Sequence, residues 1–314
     1  MPELPSSPAE RLAAEEDREG LPPSEPLLQG LAVELGPQGA SARRRLGIAA
    51  WIAIAWMVLV IGSAVLASFL PLKDPINWAD SSHLNQGPTL AHPFGLDGSG
   101  RDVLSRVVYG GRVSLVIGFG SIAIGFVLGG VLGLIAGYFK GRIGGFIGSV
   151  LDIFLAFPQL ILALAVVTFL GRTTVNVTVA LAIVSTPILA RIARASTLTW
   201  SEREFVLAAR AQGARHRRIM FREILPNVLP AMFSLALLGI AVVIVAEGGL
   251  AILGASVKPQ TVSWGNVIVS GKNSISNAPH IVLAPSIVIF LTVLALNYLG
   301  DVIRARFDVR ESSL

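Results

Sequence analysis

The chain has 314 residues, of which 53% are hydrophobic and only 14% charged, with 32 glycines and a formal net charge of +5. An average soluble domain carries about 25% charged residues, so too few charges are present to cover a water-exposed surface of this size, and the mean hydropathy of +0.69 agrees. The lack of cysteine excludes disulfides, thiolate metal sites and a cysteine nucleophile, and the basic residues lie beside apolar runs, where positive charge sets membrane orientation instead of binding nucleic acid.

Residues 1–42 hold eight acidic residues against two arginines, Arg11 and Arg18, among many Pro and Ser. Such a stretch buries too little apolar surface to fold by itself, and 1–45 reads as a disordered cytoplasmic tail, with a regulatory or docking role as the alternative. The first apolar run, 46–70, outlasts the ~7–15 residues of a signal-peptide core and reads as a retained anchor helix. A connection, 71–112, is placed on the extracytoplasmic side. The core, 113–303, follows with a cytoplasmic loop at 191–227, and 304–314 forms a cytoplasmic tail.

Six apolar spans are expected, Leu46–Leu70, Val113–Gly137, Ile143–Leu170, Val175–Ala190, Val228–Leu253 and Ile281–Leu299, each near the ~20 residues that a bilayer core requires. The third contains Asp152 and Pro158, so its membrane part contracts to Leu151–Leu170; the fourth is short and holds Pro187. Arg43, Arg44 and Arg45 precede the first span and place the N-terminus inside. Six crossings then put Lys140, Arg142, the Arg191–Arg222 loop, Arg304, Arg306 and Arg310 inside as well, which distributes the Lys and Arg residues as 18 inside and 7 outside. Gly125, Gly129, Gly133 and Gly137 in the second span, continued by Gly141, share one helix face, which reads as close helix packing or alternatively as a glycine-lined pore.

Residues 202–222 favour helix, and Gly213 interrupts them where a helix can end and turn. Pro226 and Pro230 stand near the start of the next span, where proline is tolerated. The expectation is a short helix, a turn and a second helix climbing into the membrane, with Ala208 and Ala209 offering a face that a cleft on another protein can approach.

The series Ala208-Ala209, Gly213 and Ile224-Leu225-Pro226, between two spans, resembles the docking loop of ABC-importer permeases. The stretch from His92 to Leu115, with Gly95, Asp97, Gly100, Arg101, Asp102, Ser105, Arg106 and Arg112, resembles the signature of the C-type permeases for dipeptides, oligopeptides and nickel. So do Ala246-Glu247-Gly248-Gly249-Leu250, Ser263-Trp264-Gly265 and Asn297-Tyr298-Leu299-Gly300-Asp301. The family's usual acidic residue is Leu207 here, its Thr is Leu96 and its His is Glu223, so the contact relies on shape more than on charge. The resemblance implies an all-α integral membrane protein with six transmembrane helices and the type I ABC-importer permease fold. It also implies a peptide importer in the cell membrane, built with a sister B-type permease, two ABC ATPase subunits and an extracytoplasmic substrate-binding protein. ATPase docking falls to Val206, Leu207, Ala208, Ala209, Gly213 and Ala214, and no cofactor is bound directly, ATP and Mg belonging to the partner ATPases.

Arg101 and Asp102 are expected to pair across a turn or to cap a short interfacial helix. Glu247 lies far into the fifth span, where an acid is costly and faces a partner or a cavity; packing or partner pairing stands ahead of binding a peptide amine. Asp152 and Asp301 are expected to meet Arg142, Arg304 or Arg306. The four histidines, His83, His92, His216 and His280, show no metal-ligand spacing and read as ordinary loop residues. No G-x-x-x-x-G-K-[ST] occurs, so catalysis is not expected. A nickel or other small-solute permease, an ion-coupled secondary transporter and a non-transport scaffold are the alternatives.

Overall fold

Spans of this hydropathy can satisfy their backbone polar groups in hydrocarbon only as helices or closed barrels, and the chain chooses helices. The computed structural model of the chain describes residues 47–311, with side chains to residue 305. The tail 1–45 with its Arg43–Arg45 cluster, and the side chains of Arg306 and Arg310, lie outside the described residues. The first helix, α1 (Ile48–Leu66), buries Ala50, Ala53, Met57, Val60 and Ala64, one narrow stripe at alternating spacings of three and four. Trp51, Ile52, Val58, Leu59 and Val65 cover its other faces and stay exposed, as a lipid-facing helix requires.

The second helix, α2 (Val103–Tyr138), has 36 residues, about 54 Å at 1.5 Å per residue, far beyond the ~30 Å hydrocarbon core. It begins ten residues before the expected Val113 because Asp102 caps it: the Asp102 carboxylate accepts from Ser105 N–H at 2.7 Å. The long loop 71–102 is therefore welded to a membrane helix.

The third span is broken. Helices α3 (Arg142–Ala156) and α4 (Gln159–Leu170) meet at an 89° bend. Proline disfavours the helical region for the residue before it, and Phe157 is extended at φ −83°, ψ 139°, so the turn follows from Pro158 itself. The span expected over Ile143–Leu170, with Leu151–Leu170 as its membrane part, is thus two helices that part at Phe157-Pro158. By contrast α5 (Thr174–Ser201) runs through Pro187 without a break and continues past Ala190 to Ser201.

The α2–α5 contact is built by the glycine stripe. A Cβ at Gly129 would stand 2.8 Å from Thr186 O, one at Gly133 2.5 Å from Ala193 Cβ, and one at Gly137 2.6 Å from Thr197 Cβ. The stripe is a packing face, and Gly141 leaves it, at φ +82° in the turn before α3.

After α5 come a short helix α6 (Glu204–Ala211), then α7 (His216–Ile252), which contains a π-helical turn at Ile219–Ile224, separated from Pro226 by Leu225. Helix α8 (Trp264–Gly271) starts with Ser263 Oγ accepting from Asn266 N–H at 3.1 Å, and α9 (His280–Glu311) ends the described chain. Trp56 Nε1 donates to Thr292 Oγ1 at 3.2 Å, tying α1 to α9. The segments 67–102, 171–173 and 253–279 share one end of the bundle; 139–141 and 202–215 share the other.

Candidate functional site

The element that leaves the bundle is α6, and its sequence accounts for its shape. Gly213 has φ +76°, and two backbone bonds close the helix end: Gly213 N–H donates to Arg210 O and Ala214 N–H to Ala209 O, both at 3.0 Å. This paired closure needs a left-handed residue just beyond the helix, which glycine supplies without a Cβ penalty. The spacing Ala-Ala-x-x-x-Gly is thus that of a helix whose end is sealed by its own backbone.

The inner side of α6 is Val206, fully buried. It packs in an apolar cluster with Leu134 and Tyr138 of α2, Ala193 of α5, and Ile219, Met220, Ile224, Val228 and Met232 of α7. Val206 is therefore unavailable for docking; it anchors α6 to three long helices. Leu207, Ala208 and Gly213 are exposed, and Ala209 and Ala214 are half-buried. A hollow of about 330 Å³ opens beside them, bounded by Gln212, Arg215 and Arg218.

Polar contacts fix the same end. Tyr138 Oη and His216 Nδ1 lie 2.7 Å apart, the Arg210 guanidinium covers the Tyr138 ring at 5.7 Å, and Lys140 Nζ donates to Glu202 at 2.5 Å. That ammonium holds the Glu202 carboxyl below the usual glutamate range. Pro226 follows the π-helical turn in α7, where Asn227 Nδ2 returns to Glu223 O at 2.7 Å.

The opposite end holds the motif residues of 92–112. Asp97 and Arg106 form an ion pair with side chains 2% and 3% exposed. The other Asp97 oxygen accepts from Ser99 N–H at 2.8 Å and Arg101 N–H at 2.9 Å; the Arg101 guanidinium stands 4.0 Å from the same carboxylate. Arg101 thus meets Asp97, and Asp102 caps a 36-residue helix while holding His92 Nδ1 at 3.0 Å. A Cβ at Gly95 would press 2.5 Å from Gln86 O, and one at Gly100 would overlap the Asp80 carbonyl, so the loop passes beneath that backbone. Ser105 Oγ donates to Asp102 and receives Lys73 N–H at 3.1 Å. The Arg112 guanidinium donates to Ala64 O and, at 2.8 Å, to Val65 O, satisfying carbonyls at the end of α1.

Glu247 is 1% exposed and accepts from three serine hydroxyls. Ser256 Oγ donates to it at 2.6 Å, Ser263 Oγ at 2.8 Å and Ser114 Oγ at 3.3 Å. Ser114 also accepts Trp264 N–H at 3.0 Å, and the Trp264 indole donates to Val107 O at 2.9 Å. Gly265 closes the cluster, since a Cβ there would stand 2.8 Å from Ala251 Cβ. One acid therefore joins α2, α7 and α8 through three serines that no spacing in the sequence singles out.

Other expectations are corrected. Asp152 pairs with Arg191 at 2.6 Å rather than with Arg142. Asp301 is exposed, and Arg304 donates to Ser234 Oγ at 3.2 Å. The histidines are engaged residues: besides His92 and His216, His280 Nε2 lies 3.2 Å from Leu96 O and His83 pairs with Asp80. Among the described residues no cluster of His, Cys, Asp and Glu is placed to hold a metal ion.

Among the described residues, five apolar helices and one bent pair, crowned by an anchored surface helix, define a multi-pass α-helical membrane protein. The family model described as "Binding-protein-dependent transport system inner membrane component" matches residues 129–313. Over 264 residues the chain is 38% identical to the dipeptide transport system permease protein DppC of Alkalihalophilus pseudofirmus, covering 83% of this chain and 87% of that protein. It is 37% identical over 271 residues to the glutathione transport system permease protein GsiD of Pectobacterium atrosepticum, covering 86% and 89%. In structure it is similar to the inward-facing MetNI methionine ABC transporter, with a TM-score of 0.55, 21% identity and coverage of 64% and 95%. A crystal structure of an amino acid ABC transporter with histidines gives a TM-score of 0.51, 17% identity and coverage of 65% and 94%. The chain belongs to the binding-protein-dependent inner-membrane transport family and is a permease subunit of a type I ABC importer.

Proposed function

We propose that the chain is the C-type permease of an importer of di- or oligopeptides, forming the translocation path with a sister B-type permease. Two ABC ATPases, which bind ATP and Mg, dock at α6, and a substrate-binding protein delivers peptide at the opposite end. Both termini then lie in the cytoplasm and loop 67–102 outside. Relatives named for dipeptide and glutathione transport support the substrate class. The observation that carries the docking role is the division of α6: Val206 is buried in the bundle while Leu207, Ala208 and Gly213 face outward.

That division suits force transmission. ATP-driven closure of the ATPases displaces a helix sealed at Gly213 and seated on α2, α5 and α7 at once, so its movement passes to three spans together. Such coupling needs a rigid lever and a membrane domain with two arrangements. Ala208→Arg places a long charged side chain on the exposed face without touching Val206. The variant is expected to insert and fold normally but to lose co-purification with the cognate ATPase; undiminished co-purification refutes the docking assignment.

A further inference from the structure

The geometry points to a carboxylate-binding subsite in the hollow between α4, the α4–α5 turn and the segment following α7, taking the free carboxylate of a peptide. The solute's identity rests on the peptide-import reading; the anion chemistry rests on the residues. The hollow measures about 680 Å³, with Leu164, Val167, Leu253 and Ala255 as its apolar wall and Arg172 and Lys258 at its edge. That volume lies within the ~300–1,000 Å³ of small-molecule sites, which combine apolar walls with a few polar groups.

Among the described residues both edge cations are unengaged, as is Lys272, which does not line the hollow. At this end of the bundle Arg101 and Arg106 face Asp97, Arg112 holds carbonyls of α1, and Lys73 lies over Trp78. Among the described residues Arg172 and Lys258 have neither a carboxylate within 4.0 Å nor a side-chain hydrogen bond, and no acidic residue lines the hollow. They are not spent on the helix ends beside them. Helix α7 seals its own terminus, with Gly254 N–H donating to Ala251 O at 2.9 Å and Ala255 N–H to Leu250 O at 2.7 Å. At the end of α4, Asn176 Nδ2 donates to Leu170 O at 2.6 Å and Gly171 O at 3.1 Å. The Leu250, Ala251, Leu170 and Gly171 carbonyls, which would otherwise be open to these cations, are therefore occupied.

The two charges are also held together. Lys258 N–H donates to Arg172 O at 3.2 Å, so the segments that carry them are joined before any ligand arrives. A guanidinium fork matches a carboxylate in plane, and an ammonium adds a point charge. Both side chains are exposed, which keeps the attraction modest, as a path that must release its cargo requires. The apolar wall beside the two cations gives a small solute a surface to lie against, whereas a lipid headgroup needs only a basic rim.

The test uses the whole importer in lipid nanodiscs. Acetylation of Lys258 Nζ by an amine-reactive acetyl ester is followed by mass spectrometry with an N-acetylated dipeptide or the same dipeptide as its C-terminal amide. The free-carboxylate peptide is expected to protect Lys258 and the amide not, with protection lost in Arg172→Ala and restored in Arg172→Lys. With the same importer reconstituted in sealed proteoliposomes, uptake of free-carboxylate peptide by the Arg172→Ala/Lys258→Ala variant is expected to fall about tenfold, the effect of ~1.4 kcal/mol, with uptake of the amide unchanged. Equal protection by both peptides, no protection, or protection conferred by phosphatidylglycerol without peptide overturns the subsite. Protection by the carboxylate in an importer that takes up no peptide upholds the subsite and overturns the peptide-import reading.

Discussion

Gly133→Ala adds one methyl group at the tightest point of the α2–α5 contact. Its Cβ would lie 2.5 Å from Ala193 Cβ and 2.8 Å from Arg194 N, and closer still to Ala190 O. Ordinary contact begins near 3.4 Å, so the two helices must separate by roughly an ångström, and two of the three obstructing atoms are backbone that no rotamer can clear. Overpacking of this kind costs about 1–3 kcal/mol. The right control is Gly145→Ala in α3, where a Cβ meets nothing within 4 Å. Alanine gains up to about 1 kcal/mol of helix propensity over glycine at either position, so the difference between the two variants isolates packing. At about 2–4 °C per kcal/mol for a domain of this size, Gly133→Ala should melt several degrees below Gly145→Ala when both are followed by fluorescence-detected size-exclusion in detergent. Coincident melting curves would refute the claim that the stripe seats α2 directly on the α5 backbone.

Two further outcomes follow from the polar clusters. Glu247→Ala leaves the Ser256 and Ser263 hydroxyls buried without their acceptor, at ~1–3 kcal/mol for each such group, so folded yield should drop sharply. Glu247→Gln, which keeps one carbonyl oxygen, should lose less; full assembly of the alanine variant with an altered substrate preference would show that the acid serves the cargo instead. For Glu202, the Lys140 hydrogen bond holds the folded carboxyl below the ordinary value of 4.5. A depressed value stabilises the fold above pH 4.5 and ceases to do so as the pH falls through the lower folded value. The small melting difference between the protein and Glu202→Gln at pH 7 should therefore disappear on acidification, and a difference that widens there would contradict the pairing.

Hydropathy alone located the spans, because burial in lipid makes a long apolar run unambiguous, and the glycine stripe announced packing through its period of four. What stayed hidden was set by contacts between distant segments. Ser114, Ser256 and Ser263 come from α2 and from two places in the 253–263 connection, so nothing local marks them as a shell for Glu247. His92 and His216 were ordinary loop residues on spacing alone, yet their partners, Asp102 and Tyr138, lie 10 and 78 positions away. Val206 resembled a docking residue by its place in the motif. Only the tertiary cluster of Leu134, Ile219 and Ile224 shows that its side chain points inward. Pro158 was visible, but an 89° bend needs the pre-proline restriction together with room beside the helix.

These contacts also decide where the proposed coupling can be absorbed. Helices α2 and α5 touch through backbone at Gly129 and Gly133, and α6 is seated on both, so they must travel as one body when α6 is displaced. Packed helices of this kind shift between discrete arrangements instead of deforming smoothly. The give must lie where the chain leaves that body. Gly141 has open space around it at φ +82°, and the Phe157-Pro158 break already separates α3 from α4, with most of both helices uncovered by the rest of the chain. Ion pairing follows the same division. The Lys140–Glu202 pair closes on the moving end, with side chains 54% and 69% exposed, and such a pair is weak enough to open. The Asp97–Arg106 pair, 2% and 3% exposed, fixes the opposite end, where α2 must stay registered against loop 67–102. On the proposed coupling, α2 and α5 would form the rigid arm of a lever driven from α6, and the Phe157-Pro158 break would be its joint.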